Sequence, residues 1–309
     1  MPLLLALLLV AMMAVPAVSM AAQPTVNLGT TSSFAVLAGE TITNTGSTTI
    51  SGDAGGNVGL HPGTAFPGQA GVTLSGAVHL ADAVALQAKN DLVTAYDDAA
   101  GRTPVTTIAT ELGGRTLTPG VYDSESGTFQ ITGTLTLDAQ GDPNAVFIFK
   151  TASTLKTASG SSVSLLNGAR FCRIFWKVGS SATLGTNSHF VGHIFAYTSI
   201  TANTGATVQG QLLARTGAVT LHANTITNGI CATVDTTSTT STSTTSTTES
   251  GSTTTVAGST TSASTPTEIQ TGGGGTSGPG AGTWALGIFA LALAGGLAWT
   301  AIRPAIKRK

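Results

Sequence analysis

Short apolar runs broken by glycine, asparagine and threonine fill most of residues 25–232. Apolar and polar residues alternate at 41–45 and 128–137, which is typical of strands with one buried face. The run at 145–149 is almost continuously apolar, as in a strand that is buried on both faces. This pattern predicts a mostly β domain.

A repeat of about 18 residues organises the second half of this region. Five residues beginning at Gly192 are matched by five beginning at Gly210, and Thr183, Thr201 and Thr220 recur at nearly the same interval. A period this short suits one coil of a β-solenoid, whose coils stack about 4.8 Å apart. Equivalent side chains then form columns, and one predicted column is threonine.

Alternation within the repeat separates inward from outward positions, because successive side chains of a strand point to opposite faces. The positions predicted to point inward are all apolar: Phe190, Ile194, Ala196, Ile200, Ala202, Val208, Leu212 and Ala214. Their neighbours, the threonines among them, are predicted to point outward.

Between about 76 and 100 the apolar spacing changes to three and four residues, which predicts an amphipathic helix. Gly101 ends the pattern and Pro104 follows it. Lys89 falls on the polar side. The predicted buried side is rich in alanine: Ala81, Val84, Ala85, Ala88, Leu92, Ala95, Tyr96 and Ala99. Because small side chains allow close approach, we expect this helix to pack along the solenoid.

The two ends of the chain predict export and membrane anchoring. Residues 1–22 are typical of a secretory signal peptide, with an N-terminal membrane anchor as the alternative. Residues 233–282 are rich in serine, threonine and glycine and are predicted to be a disordered linker. Residues 283–302 have no charge and are long enough to span a bilayer, and the basic tail at 303–309 places the C-terminus in the cytoplasm.

These assignments predict a single-pass protein of the cell membrane. Its main domain, residues 23–232, would lie on the extracellular side. A transmembrane helix at 283–302 would hold it there.

The composition argues against catalysis and nucleic-acid binding. Only 9% of the 309 residues are charged and the net charge is −1, so there is no basic footprint for nucleic acid. The sequence lacks the metalloprotease, P-loop and nucleophile-elbow motifs. His189 and His193 would suit a metal on a helix, but they lie on a predicted strand. We therefore expect no enzyme activity, no metal and no cofactor.

Cys172 and Cys231 are the only cysteines. Because both lie in the part predicted to be exported, a disulfide between them is permitted. Such a bond would contribute about 4 kcal/mol on the chain-entropy account. Two free buried thiols are the alternative.

Six separated motifs lie at 34–39, 52–63, 81–102, 146–149, 175–179 and 192–196. Together they resemble the ice-binding-like domain family known as DUF3494. The resemblance covers about residues 26–231. It implies a discontinuous, right-handed β-solenoid of triangular cross-section (a triangular β-helix) with one long α-helix packed alongside. It also implies a metal-free and non-enzymatic domain that adsorbs to ice through one flat face. We expect the domain to be monomeric.

The resemblance also implies a loose pattern on the ice-contacting face, threonine followed by alanine or glycine, any residue, and threonine or asparagine. Residues 151–154 and 201–204 fit it, 183–186 and 198–201 fit in part, and the coil at 220 lacks the last position. The candidate ice-contacting residues are Thr151, Thr154, Thr183, Thr186, Thr198, Ser199, Thr201, Asn203, Thr204 and Thr220. A surface adhesin or structural module of the same fold, binding a glycan or a protein partner, is the alternative.

Overall fold

The computed structural model describes residues 23–231. The predicted signal peptide, linker, transmembrane helix and basic tail lie outside the described residues. Within 23–231, no helix is long and apolar enough to cross a membrane.

The described region contains one α-helix, α1 (Ala83–Gly101), and short β-strands. The strands are β1 (Phe34–Ala38), β2 (Ile42–Thr45), β3 (Thr48–Ser51), β4 (Asn57–Leu60), β5 (Val72–Leu74), β6 (Val78–Leu80), β7 (Thr106–Ile108), β8 (Thr116–Leu117), β9 (Gly120–Ser124), β10 (Phe129–Ile131), β11 (Thr134–Asp138), β12 (Phe147–Thr151), β13 (Leu155–Thr157), β14 (Ser162–Leu166), β15 (Ile174–Val178), β16 (Ala182–Leu184), β17 (His189–Ala196), β18 (Ile200–Ala202), β19 (Thr207–Ala214), β20 (Val219–His222) and β21 (Thr225–Thr227).

Parallel pairing of these strands builds coils with three faces. Face B is a six-stranded sheet in the order β10, β13, β16, β18, β20, β2. Face A contains β1, β4, β6, β7, β9, β12, β15 and the second halves of β17 and β19. Face C contains β3, β5, β8, β11, β14, β21 and the first halves of β17 and β19.

The stack of coils does not follow the order of the chain. Strand β1 pairs with β19 on one side and with β4 on the other, so the N-terminal coil lies on the last coil of the repeat. The chain therefore starts within the stack and reaches one end of it at β6. Helix α1 then connects to the other end, where β7 lies, and the strands from β7 to β21 form the coils in between. This arrangement confirms a mostly β, parallel and discontinuous solenoid, and its handedness stays a prediction.

Apolar side chains fill the interior of the coils. All eight positions predicted to point inward between Phe190 and Ala214 are buried. At the centre, Trp176 stacks on Phe149 with 4.0 Å between ring centroids, and its indole N–H donates to the carbonyl oxygen of Val191 at 3.0 Å. A stacked aromatic core of this kind fixes the coil-to-coil register.

Helix α1 covers the outer surface of face A. Its buried side consists of Ala85, Ala88, Lys89, Leu92, Ala95, Tyr96 and Ala99. They pack with outward residues of face A such as Ile148, Phe175 and Phe195. The prediction of a helix alongside the solenoid is confirmed. Over 19 residues the helix extends about 28 Å, long enough to pass several coils.

Three details of the predicted helix were wrong: its first residue, the burial of Ala81 and Val84, and the exposure of Lys89. It begins at Ala83 and not near 76, because Val78–Leu80 pairs with β4 and the Asp82 carboxylate caps the helix by accepting from the Ala85 N–H at 2.8 Å. Ala81 and Val84 are exposed. Ala81 precedes the helix, and Val84 lies in the first turn on the side away from the buried Ala85.

Lys89, predicted to face solvent, is buried at 8% exposure. Its ammonium group donates to the carbonyl oxygens of Ala214 and Arg215. Burial lowers the pKa of Lys89 to about 7, and the nearby charge of Arg215 acts in the same direction. The side chain joins the middle of α1 to the end of β19.

The predicted disulfide between Cys172 and Cys231 is confirmed. It ties the end of the described chain to the turn before β15. The last coil is thereby closed onto the body of the solenoid.

The buried imidazole of His193 predicts acid sensitivity. Burial lowers its pKa from 6.5 to about 4. Between these values the unfolded chain binds a proton that the folded chain does not, so stability falls as pH falls from about 6.5 to 4. The expected loss of unfolding free energy is about 3 kcal/mol.

Chemical denaturation at pH 7, 5.5 and 4 measures this loss. In His193→Leu most of the loss of stability between pH 6.5 and 4 should disappear, whatever the absolute stability of the variant. An unchanged pH dependence in the variant would show that another group is responsible.

Candidate functional site

A column of threonines crosses face B. Thr183, Thr201, Thr220 and Thr43 are direct partners in successive parallel strands. Each lies between two buried neighbours and is itself partly exposed, so its side chain points out of the sheet. Strand pairing spaces the four hydroxyls and four methyls about 4.8 Å apart. Because threonine is β-branched, each side chain is stiff at χ1.

A second row, just before the central column, is partly tied to the backbone. The Ala218 N–H donates to the hydroxyl of Ser199 at 3.2 Å, and the Ser199 N–H approaches the hydroxyl of Ser181 at 3.4 Å. These contacts hold the two serine hydroxyls in fixed positions. Thr198 precedes Ser199 and is exposed.

Three further candidates lie where face B turns into face C. Thr186 and Thr204 are exposed at this corner, and Asn203 is half-buried there. Thr154 lies on the other side of the column, before β13, with its hydroxyl 3.4 Å from that of Thr128. The structure therefore gathers nine of the ten candidates on face B and its borders.

Thr151 is the exception, and its assignment to the outward face was wrong. It ends strand β12 on face A, is 2% exposed, and its hydroxyl donates to the carbonyl oxygen of Gly127. The four-residue pattern at 151–154 straddles a bend between two faces. Its first residue therefore points into the protein.

The column has boundaries. Beyond Thr183 its positions are taken by Lys156 and then Gln130. His222 lies opposite Thr45 at the edge of the face. Tyr197 is 46% exposed, but its ring lies 6.2 Å from that of Tyr96 on α1 and below the guanidinium of Arg215, so it leans toward the helix. The bulky residues therefore border the central four coils.

The column also contains Thr43, which was not among the predicted residues and which extends the column by one coil. The coil at 41–51 lies far from the repeat in the chain and joins it only because β2 pairs with β20. The alternation at 41–45 was the available signal, but it gave no sign of which strand β2 would pair with.

This arrangement is better suited to ordering water molecules than to catalysing a reaction. The four column residues have no ionisable group, and the strands beneath them are rigidly packed. A regular array of hydroxyls and methyls can hold waters in fixed positions without further ordering of the protein.

Comparisons with known proteins agree on one family. The sequence profile described as ice-binding-like matches residues 36–227. An ice-binding protein of Nostoc sp. strain HG1 is 46% identical over 203 residues, a match that spans 65% of this chain and 73% of that protein. Ice-binding protein 1 of Shewanella frigidimarina is 37% identical over 229 residues, which span 65% of this chain but only 26% of that longer protein.

A solved structure agrees in fold. The crystal structure of an ice-binding protein from an Antarctic biological consortium matches with a TM-score of 0.65 and 45% sequence identity, over 67% of this chain and 93% of that one.

Proposed function

Because the chain belongs to the ice-binding-like family, we propose that its solenoid domain adsorbs to ice through face B and thereby slows ice growth or recrystallisation. The observation that supports this proposal is the column of Thr183, Thr201, Thr220 and Thr43 in consecutive paired strands. Relatives with the same fold are ice-binding proteins.

Adsorption to ice requires many weak contacts that act together. Each hydroxyl holds a water, and each methyl excludes one from the adjacent space. Because the side chains are stiff and the backbone is already ordered, little conformational entropy is lost on contact. Ice then grows only between adsorbed molecules, where its surface curves and its further growth is opposed.

Thermal hysteresis and ice recrystallisation inhibition test this function. Residues 23–231 contain both apolar core clusters and the disulfide, so this segment should melt cooperatively on its own. We expect shaped ice crystals and a gap between melting and freezing points. A folded domain that neither shapes ice nor slows recrystallisation would contradict the proposal and favour the adhesin alternative.

We propose in addition that the domain is displayed at the cell surface. The support is in the sequence alone: a charge-free stretch at 283–302 with Arg303, Lys307, Arg308 and Lys309 after it. The full chain should stay with membranes after an alkaline wash, and its solenoid should be open to protease added outside intact cells. Release by the wash would contradict a membrane-spanning anchor.

A further inference from the structure

Face C carries a second array of outward hydroxyl side chains, longer than that of face B. Seven residues are direct partners in successive coils, and six of them have a hydroxyl group. In order along the stack they are Thr134, Ser162, His189, Thr207, Thr225, Thr49 and Thr73. The exception, His189, has its Nδ1 2.8 Å from the hydroxyl of Thr207, and Thr134 and Ser162 share a hydrogen bond of 2.9 Å.

A parallel column lies two residues further along each strand, roughly 6.6 Å away. Its positions are Thr116, Thr136 and Ser164 in one part of the stack, and Val191, Gln209, Thr227 and Ser51 in the other. The column is interrupted at β17, because Val191 is only 8% exposed and packs with the apolar core. Over the coils of β17, β19 and β21, residues of both columns and the intervening Phe190 and Val208 line a shallow trough of about 280 Å³. Face B has one column, whereas face C has one continuous column and a second, interrupted column beside it.

The array on face C is free of charged side chains. None of the fourteen residues in the two columns is aspartate, glutamate, lysine or arginine. Face B, in contrast, has Lys156 in its column. Positions without fixed charge do not attract a mobile hydration layer, so the two columns of face C meet the same physical requirement as the face B column over more coils. Asp138, at the end of β11, is a charged residue of face C outside the two columns.

The two faces meet at a corner that buried side-chain amides hold rigid. The side-chain amide of Asn224 donates to the carbonyl oxygens of Asn203 and Ala206 at 2.9 and 3.1 Å. In the next coil the hydroxyl of Thr48 donates to the side-chain oxygen of Asn44 at 2.6 Å. The exposed Thr186 and Thr204 lie on this corner. Faces B and C are therefore fixed relative to each other.

We propose that face C is a second ice-contacting surface, so that the molecule presents two adjoining faces set at a fixed angle. This inference rests on the proposed ice-binding function. Because the faces differ in column number and in direction, each fits a different set of ice planes. The protein then adsorbs to more planes than either face alone would allow.

Tyrosine substitutions in the full-length chain separate the two faces. Thr201→Tyr blocks face B, Thr225→Tyr blocks face C, and Thr94→Tyr on the exposed side of α1 is the matched control. A fluorescent label shows which planes of a single ice crystal each variant covers. We expect Thr225→Tyr to lose one set of planes and to lower thermal hysteresis severalfold, and the double variant Thr201→Tyr/Thr225→Tyr to lose nearly all ice binding.

Three outcomes decide the matter. If Thr225→Tyr covers the same planes as Thr94→Tyr and has equal thermal hysteresis, face C does not bind ice, while the function of face B stands. If the folded wild-type protein covers no plane, both the inference and the proposed function fail. Thr49→Tyr in the next coil of face C provides a second test if Thr225→Tyr does not fold, and it should lose the same planes.

Discussion

Thr201→Tyr lowers thermal hysteresis severalfold without lowering the melting temperature, because adsorption depends on many contacts that one flat face makes together. Thr201 lies in the column between Thr183 and Thr220, and its side chain points out of face B. A tyrosine ring at this position stands above the plane of the neighbouring threonines. It therefore lifts the neighbouring coils off the ice as well as removing one contact.

The folded state tolerates this change because the new ring lies outside the core. Ile200 and Ala202, the buried neighbours, keep their contacts. Thr94→Tyr provides the control, since Thr94 is exposed on α1 and its variant adds the same ring away from face B. Equal thermal hysteresis in the two variants, both with wild-type melting curves, would show that face B does not contact ice.

Gly210→Ala destabilises the protein by about 3 kcal/mol and lowers the melting temperature by about 10 °C. Gly210 has φ = 143° where β19 bends from face C to face A. A Cβ at this position would lie 2.0 Å from the carbonyl oxygen of Gly192 in the neighbouring coil. Both groups belong to paired backbone, so relief requires the two coils to move apart.

Gly101→Ala is the matched control for this prediction. Gly101 is the last residue of α1, has no left-handed φ, and has no atom within 4 Å of an added Cβ. Alanine there should leave the stability unchanged or raise it by up to about 1 kcal/mol. Thermal unfolding followed by circular dichroism compares the two variants, and a wild-type melting temperature in Gly210→Ala would contradict the close packing at this bend.

The sequence was sufficient to predict the coils of the repeat and the helix beside them. Ile200, Ala202 and Val208 alternate with polar neighbours, and this periodicity is a direct consequence of burial. The spacing of Ala88, Leu92 and Ala99 indicated a helix with a small-residue side for the same reason. Both patterns are local in the sequence. The structure contains them because each coil and the helix bury side chains that are close together in the chain.

Long-range pairing and the bends between faces were not predictable in the same way. Thr43 belongs to the face B column because β2 stacks on β20, a contact that no local pattern specifies. Thr151 fits a sequence pattern, but a bend after β12 leaves it inside the protein. The columns of face C were missed because their members come from chain segments on both sides of α1.

The central claim, that this solenoid binds ice, is tested most directly by growing a polycrystalline ice shell slowly in a dilute solution of labelled residues 23–231. The account predicts that the folded domain is overgrown and enriched in the ice, while a labelled control protein of similar size stays in the liquid. Exclusion of the folded domain from the ice, to the same extent as the control, would contradict it.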